Sequence, residues 1–165
     1  MQNGSNIRLQ TPRLAAYQPD IPQNTGALIR LAAAFGVPLE LIEPFGFLWD
    51  ERKIRVSAMD YYDQARITRH ASWHKFTECY AEQRIVLLTT KTNLPYTDFS
   101  FQPNDVLLLG RESAGVPDDV HKSLVHHVTI PLVATARSFN VAMAGAIVLA
   151  EALRQIGYNP KGQQV

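Results

Sequence analysis

The sequence predicts an α/β domain, a mostly parallel sheet flanked by helices. Two observations carry that prediction. Short apolar runs alternate with stretches of helical periodicity along nearly the whole chain, the pattern that strand–helix–strand units leave. The length and composition agree with it. A chain of 165 residues with 46% hydrophobic and 19% charged side chains suits one domain able to bury a core, and no linker or internal repeat divides it.

Taken in order, the first strand falls at 13–18 (RLAAYQ). A helix is expected after Asn24-Thr25-Gly26, because Leu28, Leu31, Ala32 and Phe35 recur at helical spacing and Gly36 supplies a stop. A strand follows at 38–43. Asp50 is placed to cap a short helix reaching Ser57, and a weaker strand is expected near 65–68. Ser72 precedes a helix carrying Trp73, Phe76 and Tyr80. Strands at 84–90, 105–110 and 127–131 complete the sheet. The last helix is expected from about Ser138 to Ile156, with Gly157 as its stop. Its small residues Ala142, Ala144, Gly145 and Ala146 would allow close approach, of the sheet or of a second subunit. The tail NPKGQQV is expected to fray, leaving a core of about 13–158.

Composition excludes several classes. Ten prolines and nine glycines are scattered, which rules out collagen-like and low-complexity architectures. No apolar run approaches a membrane span, and the polar start MQNGSNIRLQTPR lacks the apolar stretch of a signal peptide; a soluble, cytoplasmic protein with no membrane association is expected. The single cysteine, Cys79, excludes an internal disulfide and any zinc site built on two thiolates. His70 and His74 are four apart without a well-placed glutamate, and the adjacent His126 and His127 would point to opposite faces of a strand; no metal is expected. No two glycines are spaced G-x-G, and no GxxxxGK[ST] occurs, so the dinucleotide fingerprint and the phosphate-cradling loop are both absent. That absence also counts against the commoner methyltransferases with a glycine-rich first turn. The segment Gly110–Gly115 is one residue too long for a serine-hydrolase elbow.

Net charge is only +1, yet residues 51–75 hold six cations (Arg52, Lys53, Arg55, Arg66, Arg69, Lys75) against three acids (Glu51, Asp60, Asp63). Trp49, Tyr61, Tyr62 and Trp73 are interleaved with them. Basic groups among aromatic ones suit phosphate contact with base stacking; the same pattern also describes a solvated helix face with buried aromatic anchors.

Three segments carry candidate chemistry. In IPQNTGALIR, Asn24 precedes the helix, Gly26 permits close approach, and Arg30 is an unusual charge among Ala, Leu and Ile. It either reaches solvent from an exposed face or sits beside a phosphate or carboxylate. In LLLGRESAGVP, a buried strand runs into Gly110, then Glu112, at the end of a strand where α/β sheets bind ligands; Glu112 as a plain loop charge is the alternative. In IPLVATARSFNVAMA, Ser138 and Asn140 open the last helix. Ser138 could be an ordinary N-cap, whereas Asn140 just inside the helix has poorer structural reason to be there.

Together and in this order, the three segments resemble the motifs of the SPOUT superfamily of RNA methyltransferases, and within it the small tRNA wobble-position ribose 2′-O-methyltransferases. The likeness covers about residues 13–158; IEPFGFLWDERKIRVSAMDYY and LLTTK resemble stretches typical of the wobble enzymes. It implies an α/β fold with a C-terminal deep trefoil knot, an exception to ordinary connection rules, and a homodimer in which the partner completes each active site. The implied cofactor is S-adenosyl-L-methionine, leaving as S-adenosyl-L-homocysteine, in a pocket lined by Leu88, Thr89, Gly110, Ile130, Leu132 and Ser138. The implied substrate is the tRNA anticodon stem-loop, methylated on the 2′-hydroxyl of cytidine or uridine 34. Arg30 matches the family's principal catalytic position, with Asn24, Glu112, Ser138 and Asn140 around it. A guanidinium has no lone pair to accept a proton, so orientation and charge stabilisation suit Arg30 better than the part of a base. Arg55, Tyr61 and Arg137 are the candidate RNA contacts, on charge and location. Arg111, Phe139 and Ala142 depart from the residues usual at their motif positions. A ribose methyltransferase for another tRNA or rRNA position, or a non-catalytic RNA-binding module of the same fold, is the alternative reading.

Overall fold

A computed structural model describes residues 10–163. Six strands, β1 (Arg13–Tyr17), β2 (Leu39–Ile42), β3 (Ile67–His70), β4 (Ile85–Leu88), β5 (Val106–Leu109) and β6 (His126–Val128), form one sheet. The order is β3-β2-β1-β5-β4-β6, and every neighbouring pair is parallel. The described α-helices are α1 (Pro22–Phe35), α2 (Glu51–Ala58), α3 (Trp73–Cys79), α4 (Asp118–Ser123) and α5 (Val141–Ile156). A 3-10 turn, Met59–Gln64, continues α2. The chain adds β2 and β3 on one side of β1, then crosses to build β4, β5 and β6 on the other. That reversal between β1 and β5 is the kind of switch point at which α/β sheets open a ligand crevice.

Side chains alternate across the pleat. Leu14, Ala16, Leu39, Leu41, Leu107 and Leu109 face α1, α2 and α5, meeting Leu28, Ile29, Ile54, Val148 and Leu149. Ala15, Tyr17, Ile42, Leu87 and Leu108 face the other layer, with Phe76 of α3 and Val120 of α4. Each fully buried leucine contributes about 1.5–3 kcal/mol relative to exposure. Glu40 lies among these apolar residues at 1% exposure. It is tolerated because Arg13 Nη1 (2.9 Å) and His70 Nε2 (2.8 Å) satisfy its two oxygens. His70 is thereby committed inside the fold, while His74 pairs with Glu78 at 3.0 Å on the surface.

The expected strands are present with shifted ends, the weak one lying at Ile67–His70. Asp50 and Ser72 cap α2 and α3 as expected, and Gly36 and Gly157 end α1 and α5 at φ 68° and 71°. Two boundaries differ. Helix α1 starts at Pro22, so Asn24, Thr25 and Gly26 lie inside the helix, within its first turn and a half; proline suits the first position because its missing N–H is not needed there. Helix α5 starts at Val141, and its cap is Asn140, not Ser138. The Asn140 side chain accepts from the backbone N–H of Ala142 (2.9 Å) and Met143 (3.3 Å). Asparagine is among the strongest N-caps, which supplies the structural reason that the sequence left wanting. Gly145 settles the small-residue stripe in part: its Cα side faces the sheet, where a Cβ would lie 3.1 Å from Leu109 Cδ1. The tail forms a 3-10 turn at Pro160–Gln163, and the expected fraying of the last two residues lies outside the described residues. Among the described residues no helix is long and apolar enough to cross a membrane.

Candidate active site

Strands β4, β5 and β6 end side by side, and the loops that leave them enclose a cavity of about 540 Å³. That volume is in the range of sites for small molecules and cofactors. The loops are laced together by backbone bonds. Thr89 N–H donates to Val128 O (2.9 Å), Thr129 N–H to Leu94 O (2.9 Å) and Tyr96 N–H to Thr129 O (2.8 Å). The loop after β5 is folded back on itself: Arg111 and Gly115 exchange backbone bonds of 3.0 Å in both directions. Gly115 takes φ 65°, and a Cβ on Gly110 would stand 2.7 Å from Gly115 Cα. Only glycine permits this close approach, so the turn is tight for a stated steric reason.

All six residues expected to line a cofactor pocket, Leu88, Thr89, Gly110, Ile130, Leu132 and Ser138, line this one cavity. Asn24, Glu112, Asn140 and Arg137 line it too. Asn140 Nδ2 donates to Asn24 Oδ1 at 2.9 Å. Residues from the first, second and third motif segments therefore meet at one place, although 116 residues separate Asn24 from Asn140.

Three expected site residues do not line the cavity. Arg30 lies exposed on α1, where its Nη1 donates to Met59 Sδ at 3.2 Å and its guanidinium covers the Tyr61 ring at 5.4 Å. Tyr61, expected as an RNA contact, is thus part of the bed on which Arg30 rests. Arg55 is held within the fold: it pairs with Glu51 and Asp63 at 2.8 Å each and covers the Tyr62 ring at 4.2 Å. Those two carboxylates push its pKa upward.

Sequence reasoning missed Asp20, which sits in the loop after β1 and is tied to the second motif. Its backbone N–H donates to Glu112 Oε2 at 3.0 Å, and Ser113 Oγ donates to its carboxylate. Burial, then the neighbouring Asp20 carboxyl, raises the Glu112 carboxyl above its usual range, against the lowering effect of the Asp20 backbone N–H. The Glu112 carboxyl, joined by the Ser113 hydroxyl and opposed by burial, holds the Asp20 carboxyl below its own. Glu112 is accordingly the more readily protonated of the two. Asp20 Oδ1 and Glu112 Oε1 are buried without a partner among the described residues. No spacing rule marks Asp20, because its role arises from a contact across 92 residues. Arg111 donates to Gln18 Oε1 and covers the Tyr17 ring at 5.4 Å, tying the same two loops together.

The sequence profile described as the SpoU rRNA methylase family matches residues 12–150. The chain belongs to that family. A tRNA (cytidine(34)-2′-O)-methyltransferase of Beijerinckia indica is 54% identical over 146 residues, spanning 87% of this SpoU-family chain and 91% of the relative. A solved structure described in terms of 2-OH methylation of C/U34 on tRNA superposes with a TM-score of 0.85 at 34% identity, covering 90% of this chain and 97% of that one. An AdoMet-bound rRNA methyltransferase from Sinorhizobium meliloti superposes with a TM-score of 0.79 at 25% identity, covering 88% of this chain and 57% of that one. In the SpoU-family chain the cavity over β4, β5 and β6 is the candidate methyltransferase centre.

Proposed function

We propose that this chain transfers a methyl group from S-adenosyl-L-methionine to the ribose 2′-hydroxyl of nucleotide 34, cytidine or uridine, in tRNA. One observation carries the reading. Residues of all three motif segments converge on a single cavity at the carboxyl edge of the sheet, in a chain more than half identical to a cytidine-34 methyltransferase. Fit to the cofactor is supported by the glycine cradle, where a side chain on Gly110 would collide with Gly115, and by the apolar floor of Leu88, Ile130 and Leu132. The cofactor, when bound, supplies an activated methyl group on a sulfonium.

The chain's own residues bind, align and balance charge. Leu88, Thr89, Gly110, Ile130, Leu132 and Ser138 hold the donor, largely through the backbone of laced loops. Asn140 fixes the start of α5 and, through Asn24, the first turn of α1. Alignment of donor and acceptor by such a rigid frame is worth several kcal/mol of the barrier, roughly 7 or more in well-oriented cases. Arg30 offers donors and permanent charge but no acceptor, so its part is to orient the nucleotide and stabilise charge developing on the 2′ oxygen. Glu112 with Asp20 holds the loop after β5 against the loop after β1.

Arg30 stands outside its own chain's cavity, and Ile21, Phe139 and Met143 expose 40%, 39% and 56% of their surface around α1 and α5. Both features support a homodimer in which a second copy covers these side chains and completes the centre. The trefoil knot, the cytoplasmic location and the anticodon stem-loop as substrate belong to the same reading, supported by family membership. Labelled S-adenosylmethionine incubated with tRNA lacking ribose methylation, followed by mapping, tests it. Label on the 2′ oxygen of nucleotide 34 is the expected result; label elsewhere in tRNA or only in rRNA would overturn the assignment.

A further inference from the structure

We propose that the exposed face of α2, from Arg52 and Lys53 through Val56 to Met59, is the track along which the RNA phosphate backbone runs toward Arg30. This rests on the reading above that the substrate is tRNA. Four of the six cations in residues 51–75 are already engaged within the protein. Arg55 pairs with Glu51 and Asp63, Arg69 with Glu43, and Lys75 with Glu78, while Arg66 donates to the Gly36 carbonyl at 2.5 Å. Arg52 and Lys53 are exposed and form no ion pair among the described residues. Folding does not account for them. They stand in the first turn of α2, at the positive end of the helix dipole, where cations are unfavourable.

The rest of the face points the same way. Arg52 and Val56 share a face of α2 at i and i+4, opposite the buried Ile54 and Ala58, and Met59 follows at the end of the helix. Val56 and Met59 are 80% and 55% exposed, an apolar step between cations that suits the sugar face of a nucleotide. Met59 holds φ 55° and ψ −146°, a sparsely populated conformation for a residue with a side chain, of the kind that persists near functional sites. That backbone delivers its sulfur to Arg30 Nη1 at 3.2 Å. The two unpaired cations, the apolar step and the proposed catalytic arginine are therefore continuous on one surface. Charge complementarity commits it to a polyanion, and the reaction proposed for Arg30 makes that polyanion the RNA.

The test is a salt titration of tRNA binding by the full chain, wild type against Arg52→Gln/Lys53→Gln. Loss of two phosphate contacts should weaken binding on the order of 30-fold at 0.1 M salt and lower the slope of log K against log salt by about 1.4–1.8. Cofactor affinity should stay the same, and the variant should melt no lower than wild type, because the removed charges oppose the helix dipole. An unchanged slope, with wild type still methylating nucleotide 34, overturns the track and leaves the function standing. If wild type methylates no tRNA, both fall together. Should the double variant lose cofactor affinity in parallel with RNA affinity, the two cations are structural and the track is refuted.

Discussion

Replacing Gly26 with alanine strikes the contact that sets the spacing of α1 and α2. A Cβ built there stands 2.2 Å from Ser57 Cβ, 2.9 Å from the Ser57 carbonyl carbon and 3.1 Å from Ala58 N. Two of those atoms are backbone, so no rotamer change relieves the overlap and the helices must part. Overpacking of a close-packed site costs about 1–3 kcal/mol, and rigid neighbours put this one at the upper end. Alanine returns about 1 kcal/mol of helix propensity over glycine. The net loss is about 2 kcal/mol, a fall of roughly 4–8 °C in Tm for a chain of this size. Calorimetric melts of the two proteins read it directly. Ser57→Gly in the same background removes the Cβ that is struck and should restore part of the loss, a coupling that a double-mutant cycle isolates. A Gly26→Ala protein that melts at or above the wild-type temperature, or a cycle with no coupling, would refute the packing argument.

Arg30→Ala should abolish methyl transfer while calorimetric titration finds cofactor affinity retained; a parallel loss of cofactor binding would make Arg30 a structural residue. Tyr61→Phe should keep kcat and Tyr61→Leu should lower it, because the guanidinium rests on the ring face; equal effects from both would contradict that. Gly110→Ala should weaken cofactor binding at least tenfold, on the order of 1.4 kcal/mol, since its Cβ meets the Gly115 backbone; unaltered affinity would exclude the cradle. Glu112→Gln bears on pH. The raised Glu112 carboxyl contributes stability below its unfolded value, lost as pH rises through its folded one. The depressed Asp20 runs the opposite way, losing its contribution as pH falls. The glutamine variant should therefore gain relative to wild type as pH rises above the ordinary carboxylate range in urea unfolding, and a difference that stays constant over that rise would contradict the assignment.

Much of this was open to inspection in the linear chain. Apolar runs such as Val106–Leu109 are legible because strands buried on both faces must be apolar throughout. Asp50, Ser72, Gly36 and Gly157 mark helix ends by local chemistry alone. The pocket residues were within reach through the family likeness of the motif segments; by place alone only the loop after Leu109 was marked, at a strand end where α/β sheets bind ligands. Boundaries decided by competition between neighbours were harder. Pro22 opens α1 ahead of Asn24-Thr25-Gly26, and Asn140, not Ser138, caps α5, since several residues in each segment could serve as the first turn or cap.

What the sequence by itself determined is the alternation of strands and helices, the motif segments and the family likeness, all set by short-range pattern. Which partners the charges take is a tertiary matter. Arg55 and Arg52 look alike in the chain, yet one is held by Glu51 and Asp63 and the other is unpaired among the described residues. Asp20 acquires its role only through Glu112, and Met59 only through Arg30, 29 residues away. These last two contacts depend on distances of a few ångströms between residues far apart in sequence, and only the folded chain brings them within that range.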